Sequence, residues 1–147
     1  MGLFDKVFDT SPELPTLSPA EALAAVCLVA IAADGYLSDQ ESREMDMLLS
    51  RMRLFKSYSS EMVSRMKDSL LQQLQQHGPS HLVEMANSVL PKELKPTAFT
   101  LATDLVLADG NVTSQEQAFL DDLHRILDIS SEQALTIVEV ITIKNRG

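Results

Sequence analysis

The chain has no tryptophan, two tyrosines, five phenylalanines and a single cysteine in 147 residues. With so few aromatics, a core has to be filled by Leu, Val, Ile, Ala and Met. A hydrophobic content of 45% is enough for one domain of this length. The lone Cys27 rules out a disulfide within the chain and any paired-cysteine metal motif. It lies inside an apolar run, where it reads as a small buried hydrophobe, and the lack of disulfides suits a reducing compartment. Gly and Pro are also scarce, at five and six residues, which fits helices better than strands. Clusters of Lys and Arg are missing as well. The formal charge is −9, from 21 acidic and 12 basic residues, so the overall field repels phosphate. That argues against nucleic acid and anionic lipid as partners and leaves metal cations and basic protein surfaces.

Long hydrophobic runs are absent too. The longest, Ala22 to Ala33, would span about 18 Å as a helix, short of the ~30 Å hydrocarbon core. This excludes direct membrane insertion and predicts instead a helix apolar on all sides, buried at the centre of the domain. No secretory signal is visible, and Lys6 stands where a myristoylation signal needs Ser or Thr. Met1 to Thr10 reads as a short amphipathic segment, with Leu3, Phe4, Val7 and Phe8 at helical spacing. No Ser-His-Asp set and no phosphate-cradling glycine loop is present, so no catalytic centre can be built and a non-enzyme is expected.

What the sequence does carry is helix punctuation. Ser18-Pro19-Ala20-Glu21 is a capping box with Pro at the first helical position, and it predicts a helix from Pro19 to about Asp34, ended by Gly35. Ser38 to Glu41 is a second box. Its helix places Met45, Leu48, Leu49 and Met52 on one face. Further helices are predicted from Ser60 to His77, ended by Gly78 and Pro79, and from Ser80 to Leu90. Pro96 opens a helix to about Asp109. Thr113 to Glu116 is a third box, with Phe119, Leu120, Leu123, Ile126 and Leu127 expected inward. A last helix runs from Ser130 or Ser131 to Ile143, followed by a frayed tail. No segment alternates with period two. The expected fold is all-α, a compact bundle of about seven helices in one domain over 1–147.

The chain also repeats itself at an offset of 75. Aligning Ile31–Met52 with Val106–Leu127 without a gap gives seven identities in 22 positions, among them Ala33-Asp34-Gly35 with Ala108-Asp109-Gly110 and Gln40-Glu41 with Gln115-Glu116. The repeats, about 1–78 and 79–147, are expected to pack about a pseudo-twofold axis. If the two apolar helices cross with their C-terminal ends together, both Asp-Gly turns share one end of the domain.

Each turn reads Asp-Gly-x-apolar-Ser/Thr-x-Gln-Glu. Most of this is ordinary corner chemistry. Gly accepts a left-handed backbone, Ser38 or Thr113 caps the next helix, Glu41 or Glu116 reaches back, and Leu37 or Val112 packs before the cap. The Asp is left over. Asp34 and Asp109 stand at helix C-termini, where a carboxylate opposes the dipole, and the same choice occurs twice. A shared cation would account for it. Asp to Glu is a spacing of seven in both copies, like the second half of an EF-hand loop. The first-half ligands would fall at Ala30 and Ala32, or Leu105 and Leu107, which cannot ligate through side chains, so neither copy is an EF-hand. Two half-loops facing each other would pool Asp34, Glu41, Asp109 and Glu116 around one divalent ion, with Ca²⁺, Mg²⁺ and Zn²⁺ all open.

The paired alanine-rich helices ending in Ala-Asp-Gly, the Ser/Thr-x-x-Glu opening each following helix, and the initial Gly-Leu-Phe-Asp-Lys-Val together resemble the TerB family of tellurite-resistance proteins. The resemblance covers nearly the whole chain, and its specific part is the two turns. It implies an all-helical bundle with an acidic metal-binding cluster at those four carboxylates. It also implies a cytoplasmic role in tellurite or toxic-metal resistance and related stress responses, with Ter-system partners that include a membrane protein.

Other residues read as structural. His77 and His81 are four apart, but Gly78 and Pro79 break the helix that would align them, which disfavours a zinc site. Glu44 follows Glu41 by one turn and is a weaker candidate for the acidic cluster, because its counterpart is Phe119. Asp104 is expected to face solvent, as are Asp46 and Asp121. Met45, Met52, Met62 and Met66 are expected in the core. The competing functional reading is a protein–protein interaction module without a metal site, docking through an exposed face such as Ser57 to Gln76.

Overall fold

A computed structural model describes residues 17–108 and 110–146; Met1 to Thr10 and Asp109 lie outside the described residues. Seven α-helices and two 3-10 turns make up the described residues, with no strand among them. In chain order they are α1 (Pro19–Ala32), α2 (Asp39–Ser50), α3 (Ser60–His77), α4 (Pro79–Val89), α5 (Lys95–Leu107), α6 (Ser114–Ile126) and α7 (Ser131–Lys144). The 3-10 turns, Arg53–Phe55 and Lys92–Leu94, lead into α3 and α5.

The helix starts follow from their caps. Ser18, Ser38 and Thr113 each accept the backbone N–H of the Glu three residues on, and that Glu accepts the cap residue's own N–H. Ser59 and Ser130 cap α3 and α7 through a side-chain oxygen alone. Gly78, at φ +86°, ends α3 and starts α4 in a single residue, and Pro79 opens α4.

α1 is the axis of the domain. Every residue from Ala22 to Val29 is buried, on all sides of the helix. It packs most extensively on α4 and α5, and also touches α3 and α2. Ala22, Ala24, Ala25 and Ala32 keep its girth small enough for these neighbours to close in, while Leu23, Val26, Leu28 and Val29 interdigitate with them. Each large side chain so buried contributes on the order of 1.5–3 kcal/mol. α5 is the second hub. It carries α6 and α7 on its far side, with Phe99 buried against the edge of the His124 ring at 6.3 Å between centroids.

Several side chains depart from their expected places. Ile126 is on the exposed side of α6 and Phe119 is only partly buried, whereas Leu120, Leu123 and Leu127 point inward. Met62 is 47% exposed, unlike Met45 and Met66. Asp104 does not face solvent. It accepts hydrogen bonds from Lys144 Nζ at 2.8 Å and Asn145 Nδ2 at 3.3 Å, so α5 holds the end of α7 and the tail is tied down as far as Asn145. Asp46 lies 2.6 Å from the ammonium of Lys67, a buried lysine of α3 that also donates to Ser42 Oγ.

Candidate functional site

The two Asp-Gly corners close in the same way. Gly35 donates its N–H to Ala32 O at 2.8 Å and Gly110 to Leu107 O at 3.1 Å, tightening the last turn of α1 and of α5. Both glycines then take a left-handed backbone, at φ +86° and +80°. This reverses the chain into the next cap, so the carboxylates of Glu41 and Glu116 fall in the first turns of α2 and α6, where the helix dipole favours negative charge.

The two corners meet. A cavity of about 540 Å³ is lined by Ala30 and Ile31 from the last turn of α1 and by Leu105, Val106 and Ala108 at the end of α5. Its rim carries Ser38, Gln40, Glu41 and Glu44 from the first corner and Glu116 from the second. Two of the four carboxylates singled out in the sequence, 75 positions apart, therefore line one space. In each, Oε1 is engaged in the capping box: Glu41 accepts from the Ser38 N–H at 3.2 Å and hydroxyl at 2.9 Å, and Glu116 accepts from the Thr113 N–H at 2.9 Å. Three glutamates lining one cavity concentrate negative charge there, which attracts cations.

Asp34 is placed differently. It follows the end of α1 by two residues, is exposed, and its Oδ1 accepts the Tyr36 N–H at 3.0 Å. This Asx-type turn gives the carboxylate a partner within its own corner, and Asp34 is not among the residues lining the cavity. Asp109 lies outside the described residues. Among the described residues no three His, Cys, Asp or Glu side chains converge as a group able to hold a metal ion.

Glu44, a weaker candidate for the cluster in the sequence, is at the cavity as well. It lies on the cavity rim, with its Oε1 3.3 Å from Gln40 Nε2. Its spacing of three from Glu41 was the available signal, because residues three apart share a helix face. Its mismatch with Phe119 in the other copy ranked it below the four repeated carboxylates.

Other groups are occupied structurally. His124 is buried, and its Nδ1–H donates to the Ile129 carbonyl at 3.0 Å. Cys27 is fully buried in α1; burial pushes its thiol up to about 12, leaving a neutral group that is neither nucleophile nor ready metal ligand. No helix among the described residues is long and apolar enough to cross a membrane.

A family model described as Tellurite resistance protein TerB matches residues 20–137, a span that includes both corners and the whole cavity. No curated protein and no solved structure matches the chain.

Proposed function

This chain belongs to the TerB family, and we propose that it is a non-enzymatic, cytoplasmic stress-response protein that takes up a divalent cation at its acidic end, in the service of tellurite or toxic-metal resistance. The observation that carries this reading is the shared cavity: Glu41 and Glu116 line it from opposite corners, with Glu44 beside them. Capping uses one oxygen of each carboxylate, and the other is the oxygen offered to an ion. In this reading Asp34 exchanges its bond to the Tyr36 N–H for the ion and, with Asp109, backbone carbonyls and water, completes the donor set, because Ca²⁺ and Mg²⁺ need six or more oxygens. Ter-system proteins, including a membrane component, are the partners the family suggests. A cation that organises the two corners would give such a partner a surface that depends on metal.

The experiment is thermal unfolding of chelator-treated protein with Ca²⁺, Mg²⁺ or Zn²⁺ added. An ion at ~100 times its dissociation constant should add about 2.7 kcal/mol to stability. No shift with any of the three ions would sink the proposal.

A specific observation supports a second reading, an adaptor without metal. Leu135, Val140 and Ile143 of α7 are each more than half exposed, an apolar surface of the kind that protein partners cover. Co-purification that survives Glu41→Gln/Glu116→Gln but fails on Leu135→Glu/Val140→Glu would favour it.

A further inference from the structure

His77 and His81 are separated by the helix-breaking Gly78-Pro79 pair, yet the fold brings their rings together. The ring centroids lie 4.9 Å apart with the planes tilted by 44°. The reason is Gly78. Its positive φ turns the chain within one residue, so the last residue of α3 and the third of α4 face each other across the corner. The break that denies these residues a common helix face gives them a common corner instead.

Two further features stand at this corner. Nε2 of His81 is buried with no hydrogen-bond partner among the described residues. A buried polar nitrogen left unpaired carries a desolvation cost and calls for a bonding partner. His77 is exposed and is the C-terminal residue of α3, where the negative end of the helix dipole favours a cation. The pair thus combines one sheltered, unbonded imidazole with one open to solvent.

We propose that His77 and His81 form a two-imidazole, solvent-open site for a borderline divalent transition ion such as Cu²⁺, Ni²⁺ or Zn²⁺. With metal–nitrogen bonds of about 2.0–2.1 Å, two imidazoles on one ion, at an angle between square-planar and tetrahedral, place their ring centres about 5 Å apart. The observed separation is of that size before any ion arrives. Imidazole suits Cu, Ni and Zn, whereas Ca²⁺ and Mg²⁺ take oxygen donors. This site therefore prefers Cu²⁺ and Ni²⁺ over the hard ions that the acidic cavity's carboxylates suit, and neither histidine contributes to that cavity. With only two protein ligands, the remaining coordination positions belong to water, and the ion exchanges readily.

The test uses the full, untagged chain and one equivalent of Cu²⁺, followed by electron paramagnetic resonance and titration calorimetry. The expected spectrum shows hyperfine coupling to two nitrogens, in the wild type and equally in Glu41→Gln/Glu116→Gln. His77→Asn, at an exposed position, should leave one nitrogen coupled and weaken binding about tenfold or more, since chelation becomes single-point attachment. His77→Asn/His81→Asn should abolish the coupling while the circular dichroism of the helices is kept. A wild-type spectrum without two-nitrogen coupling, or one that the histidine changes leave unaltered, would overturn the proposal.

Discussion

The two Asp-Gly corners are written in nearly the same residues, and the fold supports them unequally. At the first, Gln75 of α3 donates to the Gly35 carbonyl at 2.8 Å, and Lys67 of the same helix reaches Asp46 and Ser42 on α2. At the second, the counterpart of Asp46 is Asp121, whose side-chain neighbours are His124 and Arg125 of its own helix, at 3.8 and 3.9 Å. A methyl group added at Gly35 would meet Gln75 Cγ at 3.4 Å, whereas one added at Gly110 would meet nothing within 4 Å. The repeated motif therefore sets each corner locally, through caps and a left-handed glycine, and the helix that follows decides whether the corner is braced. α3 reaches back to its corner; α7 packs on α5 instead.

The largest expected break in this comparison is at the paired aspartates. Asp46→Ala strands a buried ammonium. Its partner is half exposed, so solvent screening reduces the loss below that of a fully buried pair, to about 1–3 kcal/mol. Asp121→Ala, among exposed groups, should cost less than about 0.5 kcal/mol. Denaturant melts of the two variants side by side would measure the gap, and equal losses would remove the bracing argument. Next come the glycines. Gly35→Ala and Gly110→Ala should each cost about 1–2 kcal/mol and by similar amounts, because the left-handed backbone and not crowding sets the penalty. Ser38→Ala and Thr113→Ala should follow at about 1 kcal/mol each, measured in the same way. Last among the changes at the first corner is Gln75→Ala, at about 0.5–1 kcal/mol for one exposed side-chain hydrogen bond, with amide exchange expected to quicken at that corner only.

The parts of the molecule legible in the sequence are those governed by local rules. The boxes at Ser18, Ser38 and Thr113 mark the true starts of α1, α2 and α6, and Gly78 marks the end of α3, because capping is decided within four residues. The apolar run reads correctly as the buried axis from Ala22 to Val29, since a helix with no polar face has nowhere else to go, while Ala33 at its end is exposed. The first helix nevertheless ends two residues early, at Ala32, because Asp34 bonds to the Tyr36 N–H within the turn. Contacts between elements were not legible. Asp104 with Lys144 spans 40 positions and Lys67 with Asp46 spans 21, and periodicity carries no register between helices. The candidate site divides along the same line. Glu41 and Glu116 are marked by their caps, Glu44 is only a weak candidate until the cavity places it beside them, and the His77–His81 corner is hidden by the break that creates it.

The central claim is that one ion serves both corners, and a double-mutant cycle on cation affinity tests it most directly. Gln at these positions can still complete a capping box, so Glu41→Gln and Glu116→Gln perturb the ion's ligands more than the fold. If the two carboxylates share an ion, calorimetric titration with the cation that stabilises the protein will show one site. Either change alone will weaken that site, and the double variant will lose less than the sum of the singles, with a coupling of about 0.5–3 kcal/mol. Two independent sites with additive losses, or an affinity that neither change alters, would contradict the account.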